Sequence, residues 1–273
     1  MPNCDYNCDN CAVAGNCDSR IPKAKLNEQS EIKHIIGVCS GKGGVGKSFV
    51  TSMLAVSLKR QGYKVGILDA DVTGPSIPKS FGVKEKAYGE DSYIYPLITR
   101  SGIKIMSANC LLENEDEPII WRGSLLSNLV KQFYEDVLWE DLDYLLIDMP
   151  PGTGDITLTV FQMIPIESLI IVTTPQDLVS LIVTKVMKMA ELMNINVLGV
   201  IENMSYIQCP DCQKKINVFG ESHLKEFQEK MHFNILGQLP IKQEISQAVD
   251  QGLIETVALE QIDSAVKFVT KGE

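Results

Sequence analysis

Three groups of residues have types and spacings that could do chemistry. The first is Gly41-Lys42-Gly43-Gly44-Val45-Gly46-Lys47-Ser48, which fits the phosphate-binding pattern G-x-x-x-x-G-K-[ST] without a mismatch. Glycines at these places let backbone N–H groups turn inward around an anion, because a Cβ would obstruct the turn or the phosphate. In such a loop Lys47 would carry an ammonium to the β- and γ-phosphates, and Ser48 would offer its hydroxyl to Mg²⁺. The second group comprises carboxylates at the ends of apolar runs: Asp69 and Asp71, and Asp148 closing Tyr144-Leu145-Leu146-Ile147-Asp148. An aspartate in the last place holds Mg²⁺ through water in enzymes with such a loop. The third group is cysteine. Cys4, Cys8, Cys11 and Cys17 cluster near the start, Cys209-Pro210-Asp211-Cys212 lies far along the chain, and Cys39 and Cys110 stand alone.

In a reducing cytoplasm, clustered cysteines are more often metal or cluster ligands than disulfides. Four thiolates between positions 4 and 17 suit a tetrahedral Zn²⁺ or a [4Fe–4S] cluster. A Cys-x-x-Cys pair by itself reads equally as a zinc or a redox motif. Cys39, on an apolar run, reads as a small buried side chain, and Cys110, with no partner at ligand spacing, as structural. His34, His223 and His232 form no cluster with the carboxylates, and Met187, Met189 and Met193 read as helix packing.

These groups need a frame that brings strand ends and helix starts together. Residues 35–39, before the loop, suit a buried strand. Val50, Leu54, Val56 and Leu58, after it, lie on a helix that Gly62 stops. Residues 64–69 and 103–106 give further strands, with turns and short β segments over 84–102. Leu125, Leu126, Leu129, Val130, Phe133 and Val137 recur at helical spacing after Trp121-Arg122-Gly123. The strand ending at Asp148 leads into Met149-Pro150-Pro151-Gly152-Thr153-Gly154-Asp155, a loop able to reposition when a γ-phosphate is present. Residues 169–173 give another strand, Thr174-Pro175-Gln176-Asp177 a loop and helix start, and 181–193 a helix. A strand over 196–201 is expected to end in the loop Glu202-Asn203-Met204-Ser205, ahead of the Cys-Pro-Asp-Cys turn. Helices near 221–231, 241–251 and 259–270 and a short strand over 234–237 complete the chain. The alternation is that of an α/β, doubly wound, mostly parallel sheet over residues 31–273. Residues 1–30 form a Cys-rich N-terminal segment with no apolar periodicity from which to build a core.

With 273 residues, 45% of them apolar and 22% charged, the chain is compatible with one large α/β unit. The net charge of −10 argues against a nucleic-acid partner, which needs a basic surface to neutralise phosphates. No N-terminal apolar segment reads as a signal and no apolar run is long enough to span a bilayer, so a cytoplasmic protein without a membrane partner is expected.

The additional Lys42 makes the loop K-G-G-x-G-K-[ST], which resembles the deviant P-loop class of ATPases related to MinD and nitrogenase iron protein. Further motifs follow in one order: Asp69-Ala70-Asp71-Val72-Thr73-Gly74-Pro75-Ser76, Trp121-Arg122-Gly123, the Asp148 to Asp155 loop, Thr173-Thr174-Pro175-Gln176, Glu202-Asn203-Met204-Ser205 and Cys209-Pro210-Asp211-Cys212. The series is similar to the Mrp/ApbC family of iron–sulfur cluster carrier ATPases over roughly residues 33–270.

The resemblance implies an ATP-dependent homodimer that hydrolyses ATP slowly and carries a cluster to recipient apoproteins, alongside other cluster assembly proteins. On it, Lys47 and the amides of Gly41 to Phe49 bind the phosphates of ATP or ADP, and Lys42 contacts nucleotide in the partner subunit. Ser48 binds Mg²⁺ with Asp148 behind it, Asp69 supports the metal side, and Asp71 orients or activates the attacking water, so that Lys42, Lys47 and Asp71 carry the catalysis. Gly152 to Asp155 form a nucleotide-sensing switch, and Asn203 recognises adenine. Cys209 and Cys212 of each subunit together hold one bridging [4Fe–4S] cluster, a two-fold axis supplying the four thiolates that one chain lacks.

Departures from the family pattern are also visible. The position after Ser48 is usually Thr and is Phe49 here, leaving only a backbone N–H near the α-phosphate. Cys8, Cys11 and Cys17 keep the Cys-x2-Cys-x5-Cys of the N-terminal cluster of some members, but Cys4 lies much closer than their fourth cysteine. The glycine-rich stretch that often follows the family's Phe-Gly is replaced by Phe219-Gly220-Glu221-Ser222-His223.

Thiolates do not reveal which metal they hold, so a regulatory ATPase with a structural zinc stands as an alternative. An electron-transfer ATPase like nitrogenase iron protein is another, although its cluster ligands come from two separate places in the chain. A MinD-like membrane regulator would need a basic amphipathic C-terminal helix, and residues 258–271 mix Glu260 and Asp263 with Lys267 and Lys271.

Overall fold

Strand side chains alternate between two apolar layers, and that alternation organises the described chain. The computed structural model describes residues 23–71, 76–90, 92–111, 123–176 and 179–270. Cys4, Cys8, Cys11, Cys17, the 72–75 stretch and Trp121-Arg122 lie outside the described residues.

In chain order the elements begin with β1 (Glu31–Ser40), α1 (Lys47–Arg60), β2 (Val65–Asp69), α2 (Ile77–Ser80), β3 (Tyr88–Glu90), β4 (Tyr93–Tyr95), β5 (Leu97–Ile98) and β6 (Lys104–Ser107). They continue with α3 (Gly123–Glu135), β7 (Asp141–Asp148), α4 (Asp155–Met163), β8 (Ser168–Thr173) and α5 (Val179–Leu192). Last come β9 (Asn196–Gln208), β10 (Lys215–Ile216), α6 (Leu224–Met231), β11 (Ile235–Pro240), α7 (Gln243–Asp250) and α8 (Glu260–Val269). Among the described residues, none of the helices is long and apolar enough to cross a membrane.

The main sheet runs β10-β9-β8-β1-β7-β2-β6-β5, with β11 also paired to β9. Its pairings are parallel except β5 with β6 and β10 with β9. On β1, Ile35 and Cys39 face one apolar layer while Ile36 and Val38 face the other; on β7, Leu145 and Ile147 are set against Tyr144 and Leu146 in the same way. The first layer includes Leu126, Val130 and Phe133 of α3, Val160 and Phe161 of α4 and Val186 of α5. Val50, Leu54 and Leu58 of α1 pack in the second with Ile262 and Val266 of α8. Because the strands are parallel and in register, their carboxyl ends arrive together: Asp69 stands opposite Asp148 and Ser107, and Thr173 opposite Glu202.

Two features differ from the sequence-based expectation. β9 does not stop at Ile201 but continues to Gln208. Glu202-Asn203-Met204-Ser205 is polar and reads as a loop, yet β11 extends the ladder past it, pairing Gln238 with Glu202 and Pro240 with Tyr206. The mismatch is absorbed by a register shift between those pairs and by Met204, whose φ is 56°. The second difference is at residues 23–30, which lie against the α/β body. Ala24 is buried and its N–H donates to Met163 O (2.8 Å), while Asn27 Nδ2 donates to Glu135 O and Val137 O (2.9 Å each).

Trp139 is fully buried in the first layer, and its Nε1–H donates to Phe133 O (3.0 Å), tying α3 to the start of β7. Trp139→Ala should destabilise the protein by about 3–5 kcal/mol, seen in chemical denaturation as a lower midpoint.

Candidate functional site

The loop after β1 is shaped by its glycines. Gly44 and Gly46 have φ of 79° and 80°, in the left-handed region that an L side chain rarely adopts. A Cβ on Gly46 would also stand 2.2 Å from Asn203 Nδ2. Gly46 is the N-cap of α1, no acidic side chain occupies the first turn, and the first helical bond runs from Val50 N–H to Gly46 O (3.0 Å). The preceding N–H groups are left as donors at the positive end of the helix dipole. The loop borders a cleft of about 330 Å³, whose lining includes Lys42 to Phe49, Asp71, Ser76 and Pro151.

The floor of the cleft is electrostatic. Lys47 is buried, with Nζ 2.8 Å from Asp148 Oδ2 and 3.5 Å from Asp71 Oδ2. Despite that proximity, the ammonium makes no well-directed hydrogen bond among the described residues. Burial alone would push its pKa down, but the carboxylates, Asp148 first, more than offset this and raise it. Asp148 is fully buried and accepts from Ser48 Oγ (2.5 Å) and Thr51 Oγ1 (2.8 Å). Asp69 accepts from Ser107 Oγ (3.0 Å) and from the Asp71 N–H (3.1 Å). Its pKa is pushed well above the usual carboxylate range, chiefly by burial and then by Asp148. Oxygen donors from Ser48, Asp148 and Asp71 around a dense negative field are the hard set that suits Mg²⁺, so the residues present fit that ion.

Neighbouring loops complete the rim. Gly152, at φ 84°, donates its N–H to Ser40 O (2.8 Å), which ties the segment after β7 to the start of the phosphate loop. Lys42 Nζ is hydrogen-bonded to Gln176 Oε1. Asn203 is buried and its Nδ2 donates to Val45 O (2.9 Å), so this side chain supports the loop from beneath. Phe49 is half-buried beside the cleft.

Cys209 and Cys212 sit elsewhere, on the turn between β9 and β10. The Cys209 N–H donates to Lys214 O (3.0 Å), the Gln213 N–H to Cys209 O (2.9 Å), and Gln213 takes φ 60° to close the turn. Cys209 is half-buried and Cys212 exposed. The backbone N–H groups of Cys212 and then Asp211 hold the Cys209 thiol below its ordinary pKa. Ile207, Ile216, Val218 and Phe219 are exposed on the same hairpin and the segment after it. Among the described residues no three His, Cys, Asp or Glu side chains are grouped to hold a metal ion. The described chain thus brings two thiols to this place and no third such ligand. Cys39 and Cys110 are buried, and burial pushes both thiols up to about 12, so neither is a ready nucleophile.

The structure therefore brings together the loop residues, Asp69, Asp71, Asp148, Gly152 and Asn203, and sets the Cys209–Cys212 pair apart on its hairpin. Two contributors to the cleft were given no role by sequence reasoning. Thr51 lies one helical turn beyond Lys47, a spacing that could have placed it facing Asp148. Gln176 lies in the Thr173-Thr174-Pro175-Gln176 motif, but its contact with Lys42 had no local signal, because the two are far apart in sequence.

Residues 31–271 match the model of a family described as NUBPL iron-transfer P-loop NTPases, within the ParA group. An iron–sulfur cluster carrier protein of Clostridium perfringens is 48% identical over 261 residues, covering 93% of this chain and 92% of the relative. One from Methanocaldococcus jannaschii is 42% identical over 283 residues, covering 99% and 98%. Among solved structures, a nucleotide-binding protein of Archaeoglobus fulgidus in complex with ADP is 42% identical, with a TM-score of 0.77 over 85% of this chain and 91% of that one. The cell-division ATPase MinD of Pyrococcus furiosus shares the fold at 19% identity, with a TM-score of 0.64 over 88% of this chain and 99% of that one.

Two expectations follow from the cleft. A carboxyl whose folded pKa is raised favours the native state below its unfolded value, near 3.8, and loses that contribution as pH climbs toward the folded value. Asp69→Asn should therefore raise the melting temperature at pH 7 in metal- and nucleotide-free buffer, with the gain shrinking as pH falls toward 4; thermal melts across this range check it. Asn203→Ala removes the hydrogen bond under Val45, so ADP affinity measured by calorimetry should fall about fivefold, the equivalent of about 1 kcal/mol.

Proposed function

The chain belongs to the NUBPL iron-transfer P-loop NTPase family, and from that membership we propose that it is an ATP-dependent carrier of a [4Fe–4S] cluster. The cluster is its cargo, held between two copies of the chain and passed to apoproteins. The observation that carries this reading is the course of β9. The strand supports the phosphate loop through Asn203 and runs directly into the hairpin bearing Cys209 and Cys212. Two thiols cannot complete the four iron ligands of a cubane, whereas a two-fold homodimer supplies four. The lowered pKa of Cys209 favours the thiolate that iron requires. The relatives' names as iron–sulfur cluster carrier proteins support the same cargo.

On this reading the residues divide the nucleotide chemistry as follows. Lys47 and the loop N–H groups bind the β- and γ-phosphates, and Lys42 leaves Gln176 to reach nucleotide across the dimer. Asp71, at the edge of the cleft, orients the attacking water, and Asp69 steadies the metal side from below. Ser48, with Asp148 through water, would hold Mg²⁺, which when bound neutralises charge on the phosphates. Gly152 to Asp155 sense the γ-phosphate from the strand end, and Asn203 adds contact with adenine to its support of Val45. Hydrolysis is slow, as befits a switch that times release, and the protein works in the reducing cytoplasm, where thiolates persist. Cys4, Cys8, Cys11 and Cys17 bind a second cluster on the N-terminal segment.

Anaerobic reconstitution with ferrous iron and sulfide tests the reading, with metal and sulfide counted per dimer beside electronic spectra. Cys212→Ser should lower bound iron by about four per dimer, while Cys8→Ser/Cys11→Ser should keep that complement and lose any further iron. Uptake of zinc alone by the wild type, or full iron retention by Cys212→Ser, would overturn it in favour of a nucleotide switch with a structural metal.

A further inference from the structure

The hairpin that bears Cys209 and Cys212 is fastened to the body at both ends, and the two fastenings differ. At its entry, Tyr206 O accepts from the Ile241 N–H (2.8 Å), the Tyr206 hydroxyl meets Gln261 Nε2 (3.3 Å), and Lys215 Nζ lies 4.2 Å from the ring centroid. These contacts run to the residue after β11, to α8 and back to the hairpin itself. At its exit, Ser222 Oγ donates to Glu202 Oε1 (2.7 Å) and accepts from the Leu224 N–H (3.3 Å), which begins α6.

Glu202 is 2% exposed. Ser205 Oγ and Gln238 Nε2 each donate to its Oε2 (2.8 Å), and among the described residues no cation pairs with it. A buried carboxyl without a counter-charge is costly to keep, and this one is satisfied wholly by neutral donors from three separate segments. It is not part of the nucleotide cleft and carries no thiol. Its position explains why it is there. The next residue, Asn203, holds Val45 of the phosphate loop, so the two residues whose side chains reach loop and hairpin exit are neighbours, their Cα atoms about 3.8 Å apart.

The backbone between them is also unusual. Across this point β9 spends Glu202 to Tyr206 against only Gln238 to Pro240 of β11, and Met204 takes φ 56° inside the strand. A non-glycine residue held in that region is strained, and such strain persists where surrounding contacts over-determine it. Here the Glu202 clasp on one side and the Asn203 contact on the other supply those contacts.

We propose that Glu202 is a positioning residue that clasps the exit of the Cys209–Cys212 hairpin to the peptide supporting the phosphate loop, so that movement of the loop on nucleotide binding reaches the thiols. The inference rests on the carrier reading above, in which nucleotide state governs the cluster site. Without the clasp, the hairpin keeps its entry fastening at Tyr206, the loop keeps Asn203, and the two lose their shared element.

The test is thiol reactivity in the full-length apoprotein under anaerobic conditions. The rates at which iodoacetamide alkylates Cys209 and Cys212 are followed separately by mass spectrometry, with and without Mg²⁺ and ATP, beside ATP affinity by calorimetry. In the wild type, nucleotide should change at least one rate about fivefold or more. In Glu202→Gln and in Ser222→Ala, ATP affinity should stay at the wild-type value while the change in alkylation rate falls below about twofold. Variants that bind ATP and keep the full response overturn the clasp and leave the carrier reading standing. A wild type whose thiols ignore ATP overturns the coupling in the carrier reading, and the clasp with it. Should Glu202→Gln fail to fold, judged by its thermal melt, Ser222→Ala decides the question, since it keeps the buried carboxyl and removes one partly buried hydroxyl, with its bonds to Glu202, Leu224 and Gln238.

Discussion

An ammonium buried among three carboxyl groups sets the terms for everything near the phosphate loop. Lys47 lies against Asp148 and Asp71, and the Asp69 carboxyl is pushed toward its neutral form by burial and by Asp148. Three charged carboxylates and one ammonium would be a costly set in a buried floor. The raised pKa of Asp69 relieves it. The same arrangement leaves Lys47 without a well-directed hydrogen bond. A phosphate offers that bond together with negative charge, and Mg²⁺ would take up the oxygen donors that Lys47 gives up.

Parallel pairing is what makes this floor possible. Asp69 and Asp148 are far apart in sequence, with β6 and α3 between them, and stand side by side because β2 and β7 run together in register. Ser107 arrives by the same rule on β6, and Glu202 beside Thr173 on β9. The strand ends form a single polar rim above two apolar layers, and each layer is fed by alternate residues of the same strands. Packing therefore fixes the chemistry: a one-residue slip would exchange the two layers and withdraw a carboxyl from the rim.

β9 gives the molecule a second centre. Its first half is an ordinary buried strand; its second half crosses beneath the phosphate loop, kinks at Met204 and leaves the body as one arm of the thiol hairpin. Apolar side chains that would be hidden in a core, Ile207, Ile216, Val218 and Phe219, are exposed around the thiols. In the homodimer proposed above, a partner copy at the hairpin would cover such side chains.

The sequence by itself determined whatever is encoded within a few residues. The glycine loop, Lys47 and Ser48 are contiguous, and their geometry follows from backbone freedom and a helix start. Asp69 and Asp148 are marked by apolar runs that end in an acid, and the Cys209–Cys212 pair by its own spacing. The strand–helix alternation followed from hydrophobic periodicity for the same reason, since each element needs only its own residues to show which face is apolar. Tertiary structure alone decided the rest. Glu202-Asn203-Met204-Ser205 has the composition of a loop and becomes strand because β11, more than thirty residues further on, pairs with it. Ala24 has no local apolar pattern around it and is buried because Met163 and its layer lie across the chain. Asn203 supports Val45, Glu202 gathers Ser222 and Gln238, and Lys42 meets Gln176 through contacts whose partners no local pattern specifies. A hydrogen bond's donor and acceptor are chosen by where the fold sets them down, so chemistry carried by one short segment is legible in sequence, and chemistry assembled from several is not.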